Sequence, residues 1–505
     1  MMAPNVTAHA SLTLDTQFNA GTVDRRIFSG FLEHLGRAVY EGVYDPGNPL
    51  SDDNGFRRDV LEVLKPMAMP LMRYPGGNYV SACDWKDGVG PRDKRPSRPD
   101  FAWKSIESNQ FGTDEFMTWC KAVGTAPMMA VNLGTAGATE AAQLLEYCNL
   151  PAGTLWSDRR KANGHADPYN VKLWCLGNEM DGPWQAGHVE AAEYARRARA
   201  AGAMMKKMDG SIETVACGSS SRGMATYLEY DRITLEHTWD YVDYISAHRY
   251  SANDRKDTPW FLAEGVEIDR VIEDYAGLLA YVRGRKRSNK QVYVSFDEWN
   301  VWYRERSEDG KWKNAPHLLE EVYNLEDALV CAQYMAAFVR RADVVKVACI
   351  AQIVNVIAPV LTRREGLLKQ SIYWPFVEFS QKANGLSLTP KITGATYAAG
   401  ERGEVLSCDA AATYDAATGD INLFITNRDV KQSLAVEIAI ADRVITGAGR
   451  ATTLGGQDPK AANTWDKPNE VVPVTTSVNS FSGRQATIVV PAPGFTSVTL
   501  HTKPA

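Results

Sequence analysis

The stretch VKLWCLGNEMDGPW, Val171–Trp184, changes character at a single residue. Up to Leu176 it is an apolar run of the kind that forms a strand buried on both faces. After Gly177 it presents Asn178 and Glu179, an amide and a carboxylate, where such a strand would end. Seven other runs follow the same grammar: IFSGFLEHLG (27–36), PLMRYPGGN (70–78), APMMAVNLG (126–134), TVACGSS (214–220), YVDYISAHRY (241–250), QVYVSFDEWN (291–300) and VKVACIAQIVN (345–355). Between them lie TDEFMTWCKAVG, ATEAAQLLEYCN, HVEAAEYARRARAAGAMMKKM and LEDALVCAQYMAAFVRRA, whose apolar residues recur at the three- and four-residue spacing of amphipathic helices. Eight strands alternating with helices over about 350 residues is the pattern of an α/β protein built as a (β/α)8 TIM barrel.

Beyond about residue 385 helical periodicity stops. Short alternating segments rich in Val, Ile and Thr, such as GDINLFITNRD, SLAVEIAI, RQATIVVPA and FTSVTLHT, are separated by Gly, Asn and Asp turns. They predict a C-terminal antiparallel β-sandwich, jelly-roll-like in type. The segment ASLTLD (10–15) also alternates although it precedes the barrel, so it is expected to join the distant sandwich as an extra strand. The expected organisation is residues 1–24 as an amino-terminal strand segment of the sandwich, 25–385 as the barrel and 386–505 as the sandwich.

The bulk composition narrows the function. A chain of 505 residues with 45% hydrophobic and 23% charged residues buries a sizeable core. Its formal net charge of −6 argues against a nucleic-acid partner. The basic stretch VRGRKRSNK (282–290) follows a helical pattern and reads as a solvated helix end. Eight cysteines lie singly, several in apolar runs, with no metal or redox spacing, which favours a reducing compartment. Neither a signal peptide nor 18 consecutive apolar residues occurs, so a cytoplasmic protein without a membrane partner is expected. The 13 tryptophans and 21 tyrosines fit a core, and also the flat rings on which sugars stack.

In a barrel of this kind the chemistry lies at the carboxyl ends of the strands. That rule collects Glu33, Arg73, Asn78, Asn178, Glu179, His248, Tyr250, Glu298, Trp302 and Gln352, which follow six different strands. Any one of them alone reads as a rim residue in water; together they read as one cavity. Glu179 ends the fourth strand and Glu298 the seventh, across the mouth from each other. Two carboxyl groups facing a sugar from opposite sides are what glycoside hydrolysis requires, one to protonate the leaving oxygen and one to attack the anomeric carbon. Arg73 and Tyr250 are suited to keep the attacking group ionised. Asp297 rivals Glu298, because alternation along a strand lets only one of the pair face the mouth, and spacing leaves that choice open. Metal catalysis finds no His-Glu-x-x-His motif, and His34 reads as a core or supporting residue rather than a ligand. Serine catalysis finds only CGSSSRG (217–223), a loose imitation of a nucleophile elbow.

The runs FLEHLGRAVYEGVYD, RYPGGNYVSACDWKDGVGPRD, WCLGNEMDGPWQ, SAHRY and SFDEWNVWY, in that order, resemble the α-L-arabinofuranosidases of glycoside hydrolase family 51. The resemblance covers the whole chain. It implies a retaining, exo-acting enzyme that removes terminal arabinofuranosyl units from arabinan and arabinoxylan fragments, with Glu179 as acid/base and Glu298 as nucleophile. By matching motif, Glu33, Asn78 and Asn178 would touch sugar hydroxyls, Arg73 and Tyr250 would hold the nucleophile with His248 nearby, and Trp302 and Gln352 would line the glycone pocket. Trp103 and Trp184 would shape its rim or the leaving-group side. No cofactor and no metal are implied; the implied partners are an arabinose-containing oligosaccharide and further copies of the chain, as a homo-oligomeric hexamer. Long loops at 81–110, 251–264 and 303–324 favour a walled pocket. Two other readings stand beside this one: a β-xylosidase or endo-β-glucanase on the same barrel, and a non-catalytic carbohydrate-binding protein.

Overall fold

The structure is a computed structural model that describes residues 7–304, 311–456, 458–478 and 480–505. Residues 1–6 of the expected amino-terminal segment and 305–310 of the loop after the seventh apolar run lie outside the described residues. Each of the eight apolar runs forms a strand: β1 Ser29–Phe31, β2 Leu71–Tyr74, β3 Ala126–Val131, β4 Leu173–Leu176, β5 Glu213–Ala216, β6 Tyr244–Ser251, β7 Tyr293–Val301 and β8 Val345–Ala351. Every strand pairs in parallel with its sequence neighbours, and β8 returns to β1 through Cys349 opposite Ser29, so the sheet closes into a barrel. The runs are continuous rather than alternating because both faces are covered: β4 buries all of Leu173, Trp174, Cys175 and Leu176.

The intervening amphipathic stretches form the outer helices, among them α1 Thr113–Val123, α2 Ala138–Asn149, α3 Ala191–Met208, α4 Glu264–Lys286 and α5 Leu325–Arg340. Helix α5 opens on a capping box, in which Asn324 and Asp327 exchange side-chain hydrogen bonds to each other's backbone amides. Unlike the others it is buried on every side as far as Val339. Barrel and sandwich enclose it: Phe338 packs on Phe296 of β7 at 5.0 Å, and Arg340 donates to Asp409 at 2.9 Å.

Strand β7 carries one irregularity that matters for the chemistry. On the β6 side Ser295 faces Ser246 and Glu298 faces His248; on the β8 side Phe296 faces Ala348 and Trp299 faces Ile350. Against both neighbours β7 spends three residues where they spend two. Such a bulge breaks the alternation of side chains and turns consecutive residues toward the same side.

The second unit is a sandwich of a five-stranded and an eight-stranded sheet around Leu12, Leu423, Ile425, Val436, Ile438, Val498 and Leu500. Strand Thr7–Leu14 alternates strictly, exposing every other residue and burying Ala8, Ala10, Leu12 and Leu14. It lies antiparallel to Lys391–Gly394 but parallel to Ser433–Ile440, the one exception to the expected antiparallel pairing among the described residues of the sandwich. Asn19–Thr22 enters the other sheet against Leu386–Leu388, so the start of the chain is woven into both layers. A two-stranded hairpin, Thr396–Ala398 with Glu404–Leu406, stands apart from both sheets. Its Tyr397 hydroxyl donates to the Pro259 carbonyl in the short helix Thr258–Leu262 after β6, at 3.0 Å.

Candidate active site

A cavity of about 330 Å³ opens at the carboxyl end of the barrel. That size lies within the roughly 300–1,000 Å³ of small-ligand sites. Glu33, Asn78, Trp103, Glu179, Trp184, Tyr250, Glu298, Trp302 and Gln352 line it. Arg73, Asn178 and His248 do not line it; each is buried and hydrogen-bonded to a carboxylate, an amide or a guanidinium of this constellation. Ala102 and Trp103 from the loop after β2, Tyr250 from β6, and Arg304 and Leu319 from the loop after β7 wall the cavity.

Glu298 is held from two sides. Arg73 donates to its Oε1 at 2.8 Å and the Tyr250 hydroxyl to its Oε2 at 2.9 Å. Arg73 also donates to Asn178 Oδ1 at 2.7 Å, lies 3.6 Å from Asp297, and rests 4.6 Å over the Phe31 ring. Burial pushes the Glu298 carboxyl up, and Glu179 adds to that push; His248 and Arg73 pull it back. Of Asp297 and Glu298 only Glu298 lines the cavity, so one of the pair faces the mouth as expected. The β7 bulge nevertheless turns both side chains into the barrel, at different depths. Asp297 sits beneath, bonded to His248 Nε2 at 3.1 Å, and Arg73 and His248 hold it below the usual range in spite of its burial.

Glu179 stands on a turn. Gly177 leaves β4 at φ 93°, a left-handed conformation open to glycine, and Glu179 itself is at φ 41°. A non-glycine residue in that region carries strain of order 1–3 kcal/mol, which a site retains when it fixes a working side chain. The Trp184 indole donates to Glu179 Oε2 at 2.7 Å, and His248 Nδ1 meets Oε1 at 2.9 Å. One oxygen of Glu179 and one of Glu298 lie within 4.8 Å of each other, with His248 between them.

Glu33 is the third carboxyl group. Its Oε1 accepts from the Tyr79 amide at 2.9 Å and from the Trp103 indole at 3.0 Å, but no cation pairs with it among the described residues. Burial, reinforced by Glu298 and opposed by the Tyr79 amide, pushes it up to about 8. Gly77 leaves room for it: a Cβ there would come 2.7 Å from Glu33 Oε2 and push the carboxyl group aside. Gln352 accepts the Glu33 amide at 2.8 Å, which ties the ends of β8 and β1 together. Asn178 Nδ2 reaches Asn78 Oδ1 at 3.4 Å, and Trp302 meets the Tyr250 ring edge-on at 5.0 Å.

Sequence reasoning missed several wall residues. Ser220 and Ser221 of the dismissed CGSSSRG run line the cavity, and Ser220 is anchored by its amide to Asp181 at 3.0 Å. Phe31, Leu35 and Ile357 supply apolar wall; their only signal was adjacency to a strand end. Arg304 also lines the mouth and stacks on Trp302 at 5.3 Å. His34 is a supporting residue, bonded to Glu107 at 2.6 Å and Tyr74 at 2.7 Å and stacked on Tyr79. A second cavity of about 250 Å³ lies behind the loop after β2; its carboxylates, Asp84 and Glu140, flank Lys86 rather than each other.

Glu179, His248 and Glu298 are close enough for a metal, and the chemistry of the three donors decides whether they suit one. Burial alone would lower the His248 pKa, but Glu298, Asp297 and Glu179 drive it well above its ordinary value. An imidazolium has no lone pair to give a metal. The three residues make a charge network in which a cationic ring separates two carboxyl groups.

Two family profiles match the chain: an α-L-arabinofuranosidase 1 domain over residues 63–264 and an α-L-arabinofuranosidase C-terminal domain over residues 297–493. An intracellular exo-α-(1→5)-L-arabinofuranosidase of Acetivibrio thermocellus is 45% identical over 85% of this chain and 86% of its own. An exo-α-(1→6)-L-arabinofuranosidase of Bifidobacterium longum is 41% identical over 98% of both. A solved family 51 α-L-arabinofuranosidase of Bifidobacterium longum superposes with a TM-score of 0.94 at 36% identity, covering 98% of this chain and 100% of the other.

Proposed function

Because this chain belongs to the α-L-arabinofuranosidases of glycoside hydrolase family 51, we propose that Glu298 and Glu179 carry its reaction, the release of terminal α-L-arabinofuranosyl units with retained configuration. The observation that supports this assignment most directly is that one oxygen of each carboxyl group lies within 4.8 Å of the other, which is closer than a pair spread to admit a water between them would allow. Retaining pairs stand about 5–5.5 Å apart, whereas inverting pairs stand about 6.5–9.5 Å apart to admit a water between them.

Glu298 attacks the anomeric carbon while Glu179 gives a proton to the departing oxygen. A covalent glycosyl-enzyme forms, and Glu179 then takes a proton from the water that releases arabinose. Arg73 and Tyr250, each on its own oxygen of Glu298, favour the ionised form and fix its direction of attack. His248 offers positive charge between the carboxyl groups. Glu33, neutral below pH about 8, can both donate to and accept from a sugar hydroxyl. Trp302 and Gln352 complete the glycone wall, and Trp103 and Trp184 shape the leaving-group side.

Turnover of 4-nitrophenyl α-L-arabinofuranoside, beside the β-xyloside and β-glucoside, tests the reading. The arabinofuranoside should be cleaved fastest, with α-L-arabinofuranose as the product first seen by NMR; a faster xyloside, or an inverted first product, would refute it. The relatives' names divide between (1→5) and (1→6) linkages, so arabinan oligosaccharides of both kinds belong in the comparison. We also propose a cytoplasmic enzyme, supported by relatives named intracellular, assembled as the hexamer that the family resemblance implies. Fractionation and light scattering test these two points.

A further inference from the structure

The hairpin that leaves the sandwich reaches toward the nucleophile. At its tip Arg402 donates to the Trp260 carbonyl at 2.8 Å, stacks on the Trp260 ring at 4.1 Å, and pairs with the Glu264 carboxylate through Oε2. Glu264 is buried at 3% exposure, and its other oxygen serves the barrel: Oε1 accepts from Arg249 and from the Ser251 hydroxyl at 2.7 Å. Arg249 and Ser251 are the two residues that flank Tyr250. Ser251 is held again by Tyr334, hydroxyl to hydroxyl at 2.6 Å, and its carbonyl accepts the Trp302 amide at 2.8 Å. One carboxylate therefore has one oxygen on the second domain and the other on the strand end that presents the Tyr250 hydroxyl to Glu298.

From this continuity we infer that Arg402 is a positioning residue for the reaction: through Glu264 the β-sandwich fixes the end of β6, and with it the Tyr250 hydroxyl on Glu298. The inference rests on the assignment of Glu298 as nucleophile. A buried carboxylate between two guanidinium groups is over-determined in place, and burial, which would raise it, is outweighed by Arg249 and Arg402, so it stays ionised below the usual range. Without Arg402 the carboxylate is free to follow Arg249, and the Tyr250 backbone loses one of its two fixed sides.

The acid limb of kcat/KM reports the ionisation of Glu298. The groups that face it are Arg73 from β2, Glu179 after β4, His248 and Tyr250 from β6, Asp297 beside it, Glu33 after β1 and Cys349 of β8. Among these, Tyr250 alone has both chain neighbours bonded to Glu264. Loosening its hydroxyl removes a donor to the carboxylate, and the limb moves to higher pH.

Steady-state kinetics of the full chain on 4-nitrophenyl α-L-arabinofuranoside across pH decide the matter. Arg402→Ala is expected to lower kcat roughly tenfold or more with KM within about twofold. Its acid limb should rise by about half a pH unit. Arg402→Lys, which keeps a cation opposite Glu264, should recover most of both. Arg255 also stacks on Trp260, at 4.8 Å, and pairs with Glu401, yet it makes no bond to Glu264. Arg255→Ala should therefore keep the wild-type limb. An unchanged kcat and limb in Arg402→Ala would overturn the inference. So would an equal shift in Arg255→Ala, or a lowered Tm with an unmoved limb. If Arg402→Ala fails to fold, Arg402→Gln is judged by the same two readings. A wild-type enzyme inactive on the arabinofuranoside would instead remove the functional reading itself, and so the two failures are distinct.

Discussion

The ends of β4 and β7 each deliver a glutamate into one cavity, and they deliver it differently. Glu298 sits within β7 just after its bulge, one oxygen on a buried guanidinium and the other on a half-buried phenol. Glu179 sits past the end of its strand in a left-handed turn, one oxygen on the Trp184 indole and the other on a histidine. Trp184 is 49% exposed, so that partner belongs to the solvent side of the site. A nucleophile must keep its charge and direction, whereas an acid/base must exchange a proton with substrate and water in turn. The contrast in surroundings, rather than in the residues, is what separates the two roles.

The contrast breaks most visibly at Glu298. Glu298→Ala should lose at least about 10⁴-fold in kcat, the scale of removing a group that forms the covalent intermediate. Added azide should return some turnover with a β-configured glycosyl azide, and an α-configured product would reverse the assignment. Glu179→Ala should lose about 10²–10⁴-fold on substrates with poor leaving groups and much less on an activated aryl glycoside. There azide should restore rate and give the α-configured azide, because it replaces water in the second step. Equal losses on good and poor leaving groups would remove Glu179 from the acid role.

Smaller changes sharpen the contrast. Tyr250→Phe deletes one 2.9 Å bond to Glu298 and should cost about ten- to a hundredfold in kcat. Attack needs the ionised carboxylate, so kcat/KM falls as pH drops through the Glu298 pKa. Burial already pushes that pKa up, and losing the phenol should move the limb higher still; an unmoved limb would mean that Tyr250 serves the sugar instead. The smallest effect is on stability. Glu33, at about 8 in the native chain and about 4.3 unfolded, keeps a proton that the unfolded chain releases. Its stabilising contribution is whole below about 4.3 and is lost as pH rises through about 8. Glu33→Gln, neutral throughout, should gain a few degrees of Tm over wild type between about pH 5 and 8. A constant Tm difference across that range would show that Glu33 ionises normally.

The barrel was legible because its signal is local. Each buried strand must be an unbroken apolar run, and each run must stop where backbone and polar groups meet the cavity, as LWCL stops at Gly-Asn-Glu. The pocket was legible to the same depth, since Glu33, Asn78 and Glu179 come within four residues of their strand ends and Glu298 lies near the carboxyl end of its own. What the sequence hid depends on neighbours. The run SFDEWN reads the same with or without a bulge, and only the pairing of β7 with β6 and β8 turns Asp297 inward beneath Glu298. Ser220 and Ser221 are wall because Asp181, from another loop, holds Ser220 there. Thr7–Leu14 pairs in parallel because it lies between Lys391–Gly394 and Ser433–Ile440, partners nearly four hundred residues away or more, and no local pattern records that.

That strand has a consequence in time. Thr7–Leu14 is synthesised long before its parallel partner, which begins at Ser433. At about 5–20 residues per second, the intervening stretch of about 420 residues takes roughly 20 to 85 s to synthesise. For that interval a strand with one fully apolar face waits without its sheet, while the barrel between the two partners is made and can close. Production of the intact enzyme is thus expected to depend on chaperone supply and elongation speed at a segment that belongs to the sandwich and lines no part of the cavity.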